Sequence, residues 1–235
     1  MARGLCLAVL AACAALPAAA AAQELAGPAQ QGESTPPRAA ADFLGAPASA
    51  EAHQVADWVA ATDDNGGLAF VIVDKAAATV FVFDRRARLR GASPALLGLA
   101  RGDDSAPGVG DEKLSDIHPE QRTTPAGRFV AALGRNADDK DVVWVDYADA
   151  ISMHRVITSN PREHRLRRLA TATIADNRIS YGCINLPAKF YEDVVTPAFT
   201  GADGVVYILP EIKSLEQVFF HAAAVAAPPS TVGTQ

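Results

Sequence analysis

Short runs of β-branched and aromatic residues, each bounded by turn-forming residues, restrict the fold of this 235-residue chain. The first two runs, 68–73 and 79–83, are separated by a turn and predict a β-hairpin. Four similar runs lie downstream, at 128–133, 142–145, 151–156 and 205–209. Because the short strands greatly outnumber the helical segments, the pattern predicts a mostly β domain with a few short helices, α+β only at its margins.

The N-terminal segment has the three regions of a secretory signal peptide. A positive start at Arg3 is followed by the apolar stretch 4–16 and by the small residues 18–22. This pattern predicts cleavage after Ala22 and an exported, periplasmic protein. Two alternatives stay open: residues 10–13 resemble a bacterial lipobox that is cut before Cys13 and lipidated there, and the segment could remain an uncleaved anchor. No membrane contact beyond these is expected.

The rest of the chain divides into four predicted segments. Residues 23–50 are rich in Ala, Pro and Gln without hydrophobic periodicity, and predict a flexible linker. Residues 51–66 predict a short amphipathic helix ended by a turn, 67–212 the main domain, and 213–235 a C-terminal helix and tail. Within the main domain, 101–121 predicts a long loop, and its tripeptide Arg101-Gly102-Asp103 has no predicted role.

Charge and motifs exclude several classes of protein. The 21 Lys and Arg against 27 Asp and Glu give a net charge of -6, so no overall basic field is present to hold a nucleic acid. The chain has no phosphate-binding glycine loop, no paired-cysteine zinc spacing and no His-Glu-x-x-His run. No nucleic acid partner, cofactor or metal is therefore expected.

One thiol and one histidine carry the candidate chemistry. Cys183 is the only cysteine beyond the predicted signal, and a thiol attacks a carbonyl only as thiolate, which needs a neighbouring base or positive charge. His154, on a predicted strand, can supply that base. Gly182 would let backbone N–H groups point at a developing oxyanion. The alternative from pattern alone is an inert buried thiol and a hydrogen-bonded core histidine.

These residues resemble the signature of the L,D-transpeptidase family, the YkuD-type catalytic domain. In that signature a histidine is followed by Ser/Thr-His-Gly-Cys, a hydrophobic residue, and Asn or Arg. Here the stretch from Ser180 to Asn185 reads Ser-Tyr-Gly-Cys-Ile-Asn, and 124–129 reads Thr-Pro-Ala-Gly-Arg-Phe, similar to a second family segment. With the hairpin, three matches occur in family order over about 68–210. The resemblance implies a β-sandwich-like fold.

The resemblance also implies roles for the site residues. Cys183 is the nucleophile and His154 its base, with the main-chain carbonyl of Arg155 orienting the imidazole. The N–H groups of Tyr181, Gly182 and Cys183 hold the oxyanion. Ser180 and Asn185 shape the turn by hydrogen bonds, and Asn185 is also a candidate for substrate binding. The implied partners are peptidoglycan stem peptides, donor and acceptor, in cell-wall biogenesis, and the implied inhibitors are carbapenem-type β-lactams.

Two departures from the family pattern stand out. Tyr181 replaces the usual histidine before Gly-Cys, and its phenol cannot act as a base at neutral pH, so the base rests on His154 alone. In addition, 25 residues separate His154 from Ser180, more than is usual in the family. The inserted segment predicts a helix over about 160–171, because Asn160 can cap it, Pro161 suits the first position and Glu163 completes a capping box.

Arginines dominate the stretch between the histidine and the cysteine. This stretch contains six arginines and only two acidic residues. We expect Arg165, Arg167 and Arg168 to receive substrate carboxylates. An alternative is a solvated helix face in which Glu163 pairs with Arg167. His118 is either a loop histidine or a further substrate contact.

Rival functions stay open at this level. Water in place of the acceptor amine would give an L,D-carboxypeptidase or an amidase, and Tyr181 leaves room for a catalytically silent wall-binding module. A papain-like peptidase is disfavoured because such families place the cysteine before the histidine.

Overall fold

The computed structural model describes residues 40–220. The predicted signal peptide with Cys13, the linker up to residue 39 and residues 221–235 of the tail lie outside the described residues. Among the helices of the described region, none is long and apolar enough to cross a membrane.

Ten strands dominate the described region, and the mostly β prediction is confirmed. Eight of them form one sheet in the order β3-β2-β1-β10-β5-β6-β7-β9, and β4 pairs with β8. In chain order the strands are β1 (Ala69–Asp74), β2 (Thr79–Phe83), β3 (Leu89–Pro94), β4 (Leu97–Gly98), β5 (Gly127–Arg135), β6 (Asp141–Asp146), β7 (Ile151–Arg155), β8 (Arg178–Ser180), β9 (Ile184–Leu186) and β10 (Gly204–Ile208).

The helices are short. They are α1 (Ala50–Thr62), α2 (Arg165–Ala170), α3 (Ala188–Phe190) and α4 (Thr196–Phe199), with π-helical turns at Tyr191–Val195 and Glu216–Phe220. Single 3₁₀ turns lie at Val109–Asp111, Pro119–Gln121, Pro161–Glu163 and Ile174–Asn177.

The long strand β5 joins the two halves of the sheet. Its first residues, up to Ala131, pair with β10, and its last residues, from Ala132, pair with β6. Apolar side chains from both halves meet in one core, including Val71 and Val82 from one half and Met153 and Ile184 from the other. Because side chains alternate along a strand, each strand commits one face to this core. The arrangement agrees with the sandwich-like fold that the resemblance implies.

A second apolar core covers the outer face of the first hairpin. The buried face of α1, with Val55 and Val59, packs there against Phe70, and Phe219 joins from the C-terminal side. Phe43 is also buried, and its ring contacts those of Phe81 and Phe83 edge-on. The linker predicted for 23–50 is therefore packed on the domain over its last residues, because an aromatic side chain in that polar stretch finds an apolar cleft.

The helix predicted over 160–171 differs from the structure. Asn160 does cap the segment by accepting from Arg162 N–H, but Pro161–Glu163 forms only a 3₁₀ turn. His164 then adopts a left-handed conformation, with φ 49°, and α2 begins after it. The Glu163 side chain pairs with Arg165 Nε at 2.5 Å, and not with Arg167. That contact is two residues along the chain, a spacing that a continuous helix does not bring face to face.

Candidate active site

Strand pairing brings the histidine and the cysteine together. β7 and β9 are parallel neighbours, with Met153 opposite Ile184 and His154 opposite Asn185. Met153 and Ile184 both point into the core. Residues next to them, Ser152 and His154 on β7 and Cys183 just before β9, therefore share the other face. Parallel neighbours need a long crossover connection, and the segment inserted between histidine and cysteine supplies it.

The Cys183 thiol lies in a polar setting. Its Sγ is 3.5 Å from the hydroxyl of Ser152 and 3.5 Å from the carbonyl oxygen of Ala150. Burial raises the pKa of the Cys183 thiol, but the neighbouring His154 and hydrogen bonds from Ser152 outweigh it. The pKa therefore lies below its ordinary value. The residue as a whole is half-buried.

His154 is held in one tautomer. Its Nδ1 lies 2.7 Å from the carbonyl oxygen of Arg155. Because a carbonyl can only accept, Nδ1 carries the proton and Nε2 is left with a lone pair. This is the geometry expected for an imidazole that takes a proton from the thiol. The Arg155 side chain points the other way, pairing with Asp141 at 3.0 Å and Glu192 at 2.8 Å.

A tight turn carries the cysteine. Gly182 has φ 132°, and a Cβ there would lie 2.8 Å from both the Thr123 carbonyl oxygen and the Ile151 side chain. The Ser180 hydroxyl donates to the Cys183 carbonyl at 2.6 Å, and Asn185 Nδ2 donates to the same oxygen at 3.1 Å. The turn-shaping geometry expected of Ser180 and Asn185 is therefore present.

The backbone donors of this turn differ in availability. Gly182 N–H donates to the Ser180 hydroxyl at 3.1 Å, so it is not free for an oxyanion. Within residues 40–220, the N–H groups of Tyr181 and Cys183 have no acceptor. The expected set of three oxyanion donors is therefore reduced to two, because the hydroxyl that shapes the turn occupies the third.

The arginines of the insert do not form one free cationic surface. Arg165, with a side chain only 10% exposed, donates to Glu163 and, at 2.7 Å, to Asn185 Oδ1. Arg168 donates to the carbonyls of Glu163 and Asp176. Only Arg167 of the three is exposed, beside a small cavity at the start of α2. Arg165 and Arg168 thus each use two guanidinium nitrogens to hold the inserted segment in place, so they are not the fully free donors predicted for substrate carboxylates.

Tyr181 and Arg122 form one side of the turn. The Arg122 guanidinium lies 4.0 Å above the centre of the Tyr181 ring. Arg122 also donates to the Ile117 carbonyl from Nε at 3.1 Å and from Nη2 at 2.8 Å. His118, next to Ile117, is exposed, and its N–H donates to the Gln121 side chain. His118 is not in contact with His154 or Cys183.

Sequence reasoning missed three residues of this site. Ser152 could have been found, because it is two positions before His154 on a strand and so shares its face. Thr124 donates to the Gly182 carbonyl at 2.7 Å and accepts from Gly98 N–H, a role that its place in the Thr-Pro segment only hints at. Arg122 had no sequence signal, because its contacts depend on the folding of the long loop.

A buried ionic network lies behind the site. Lys75 Nζ donates to Asp103 at 2.8 Å and to the Thr124 carbonyl at 2.9 Å. Arg178, at the start of β8, pairs with Glu211 at 2.6 Å. Arg178 is therefore a core residue and not part of a cationic surface. Within the described part of the chain, no group of three His, Cys, Asp or Glu side chains is arranged to hold a metal ion.

Comparisons with known proteins find similar structures only. No family model and no curated protein matches the chain. An L,D-transpeptidase, LdtMt1, in complex with imipenem is similar at 17% identity and TM-score 0.34, over 60% of this chain and 58% of that one. An L,D-transpeptidase from Mycobacterium smegmatis is similar at 15% identity and TM-score 0.34, over 60% and 58%. The helical cell shape determining protein Pgp2 from Campylobacter jejuni is similar at 16% identity and TM-score 0.42, over 65% and 50%.

The chain thus spans between 50% and 58% of the length of these three solved chains. Two of the three are L,D-transpeptidases.

Proposed function

We propose that this chain is a cysteine-dependent acyltransferase that cross-links peptidoglycan stem peptides as an L,D-transpeptidase. The observation that carries the proposal is the parallel pairing of β7 with β9, which sets Cys183 beside His154, whose Nδ1 is fixed by the Arg155 carbonyl. An inert core thiol would need neither feature. The proposed place of action is the periplasm, reached through the N-terminal signal.

The proposed reaction begins with a proton transfer. His154 Nε2 takes the proton of the Cys183 thiol, and the thiolate attacks the carbonyl carbon that links an L-centre to a D-residue. The oxyanion accepts hydrogen bonds from the N–H groups of Tyr181 and Cys183. In other enzymes one such donor stabilises the transition state by about 3 to 4 kcal/mol. When the carbonyl re-forms, the C–N bond breaks, the imidazolium protonates the leaving amine, and a thioester remains on Cys183.

The second half of the reaction uses the same groups. An amine of a second stem peptide attacks the thioester carbon while His154 accepts its proton. The C–S bond then breaks, the sulfur recovers a proton from His154, and a new peptide bond joins the two stems. Water in place of the amine gives the carboxypeptidase or amidase outcome.

Mass analysis of muropeptides tests this proposal. Peptidoglycan treated with the wild-type protein should gain L,D cross-links, whereas peptidoglycan treated with Cys183→Ala should gain none. Intact-mass measurement should find a donor peptide or an opened carbapenem on the wild type and neither on Cys183→Ala. Shortened stems without cross-links, in the presence of acceptor, would instead identify a hydrolase. Binding to sacculi with no adduct and an ordinary thiol pKa would identify a silent module.

A further inference from the structure

Arg122 is a half-buried arginine beside the turn 181–183, which carries Cys183. Within residues 40–220 Arg122 has no carboxylate partner. Its guanidinium carbon lies 4.0 Å from the centre of the Tyr181 ring, and Nε and Nη2 both donate to the Ile117 carbonyl. These contacts use one edge of the guanidinium. The edge between Nη1 and Nη2 has further N–H groups that no acceptor in the described part of the chain engages, and this edge has the fork geometry that binds a carboxylate with two hydrogen bonds.

Three other arginines around the site differ in this respect. Arg155 pairs with two acids, Arg165 with Glu163, and Arg178 with Glu211. Among the described residues Arg168 also donates only to carbonyls, but both carbonyls belong to the inserted segment and not to the residues beside the turn 181–183. A positive charge that is partly removed from water without a counter-ion is costly unless another group compensates it. The ring of Tyr181 and one carbonyl compensate Arg122 in part. An incoming anion would complete its coordination.

The chain around Arg122 packs against the turn that carries the reacting sulfur. Thr123 lies against Gly182, with its carbonyl 2.8 Å from where a Cβ of that glycine would be. Thr124 donates to the Gly182 carbonyl at 2.7 Å. The segment 122–124 thus packs against Tyr181 and Gly182, and the ring that carries the guanidinium belongs to the turn that ends in Cys183.

We infer that Arg122, held on the ring of Tyr181, is the site that receives a substrate carboxylate beside Cys183. With the proposed function, on which this assignment of substrate rests, the carboxylate is that of the leaving D-residue, which is next to the bond that breaks. Tyr181 then has a reason to replace histidine, because its ring supports the guanidinium by a cation–π contact. The carboxylate-binding role that the sequence predicted for the arginines of α2 is thus assigned to Arg122, in the loop before β5.

Paired probes that differ only in charge test the inference. Iodoacetate and iodoacetamide both alkylate Cys183, but only iodoacetate carries a carboxylate next to the attacked carbon. In Arg122→Gln we expect the rate ratio of iodoacetate to iodoacetamide to fall roughly tenfold, since hydrogen bonds to charged groups contribute about 1.5 kcal/mol or more. Arg122→Lys keeps the charge without the fork and should lose less. Arg86→Gln, an exposed arginine between β2 and β3, should keep the wild-type ratio.

The same variants are then compared with donor peptides. Amidating the terminal carboxylate of the donor should slow acylation of the wild type and change little in Arg122→Gln. The inference is overturned if Arg122→Gln and Arg122→Lys keep the wild-type ratio of iodoacetate to iodoacetamide rates. It is also overturned if Arg167→Gln lowers that ratio and Arg122→Gln does not. If the wild type is not acylated by any peptide while the Arg122 effect on iodoacetate persists, the proposed function fails and the carboxylate site stands.

Discussion

At the scale of single residues, the Cys183 sulfur lies between one group that favours the protonated thiol and one that favours the thiolate. The Ala150 carbonyl can only accept, so it favours the protonated thiol, whereas the Ser152 hydroxyl can donate to a thiolate. Loss of a proton therefore exchanges one partner for the other. Ser152 has no other hydrogen-bond partner for its hydroxyl among residues 40–220, which leaves it available for the thiolate.

Replacing Ser152 by Ala should raise the pKa of the Cys183 thiol. The hydroxyl stabilises the charged form, so its removal shifts ionisation to higher pH, while His154 still keeps part of the lowering. The measurement is the pH dependence of the alkylation rate with iodoacetamide, whose midpoint should move up by roughly one unit for a lost hydrogen bond to a charge. Ser152→Thr, which keeps a hydroxyl, should return the midpoint towards wild type. An unmoved midpoint in Ser152→Ala would contradict this role.

At the scale of elements, the turn between β8 and β9 fixes where the sulfur stands. Gly182→Ala should remove acylation and lower the free energy of unfolding by about 1–3 kcal/mol, because the new Cβ meets a backbone carbonyl and an Ile151 methyl, both at 2.8 Å. Chemical denaturation and intact-mass measurement check the two effects. Gly201→Ala is the matched control, since Gly201 also has a positive φ, 81°, but open space around it. Equal losses of stability in both variants would show that backbone conformation alone, and not the close approach, makes glycine necessary.

The helices and strands also show which parts of the fold could be predicted from the sequence. The longer apolar strands were predictable because their runs of β-branched and aromatic residues suit a half-buried sheet. β9 was not, since three residues before a proline carry too little pattern, and they form a strand only because β7 lies alongside. The predicted helix 160–171 failed at His164, where the link from Arg165 to Glu163 and Asn185 outweighs local helix preference. The motifs predicted that Cys183 and His154 lie together, as the pairing of β7 with β9 places them, whereas the position of Arg122 depends on tertiary contacts.

At the scale of the whole molecule, one buried network joins distant parts of the chain. Asp103 accepts from Lys75 and from the backbone N–H groups of Glu211, Ile212 and Lys213, so it ties the long loop to the first hairpin and to the segment after β10. The tripeptide that had no predicted role thus contains an anchor of the fold. Lys75 also donates to the carbonyl of Thr124, which follows Thr123, the residue whose carbonyl lies against Gly182.

Acid should unfold the protein partly through this anchor. Burial raises the pKa of Asp103, but the bonds from Lys75 and the backbone lower it more, from 3.8 to about 2. The ionised form therefore stabilises the folded state above the unfolded value, and this contribution is lost as pH falls through about 2. Its size is about 2–3 kcal/mol, at roughly 1.4 kcal/mol per unit of pKa.

Asp103→Asn should thus lower the free energy of unfolding at pH 7 by about 3–5 kcal/mol, because Lys75 is left buried without its partner. The difference from wild type should shrink as the pH is taken from 5 towards 2. Asp104→Asn is the matched control: its carboxylate pairs with Lys213 at the surface, 75% exposed, and such pairs contribute at most about 1 kcal/mol. Urea denaturation across this pH range makes the comparison. If the two variants lose the same stability at pH 7, the Lys75–Asp103 pair does not hold the loop in place.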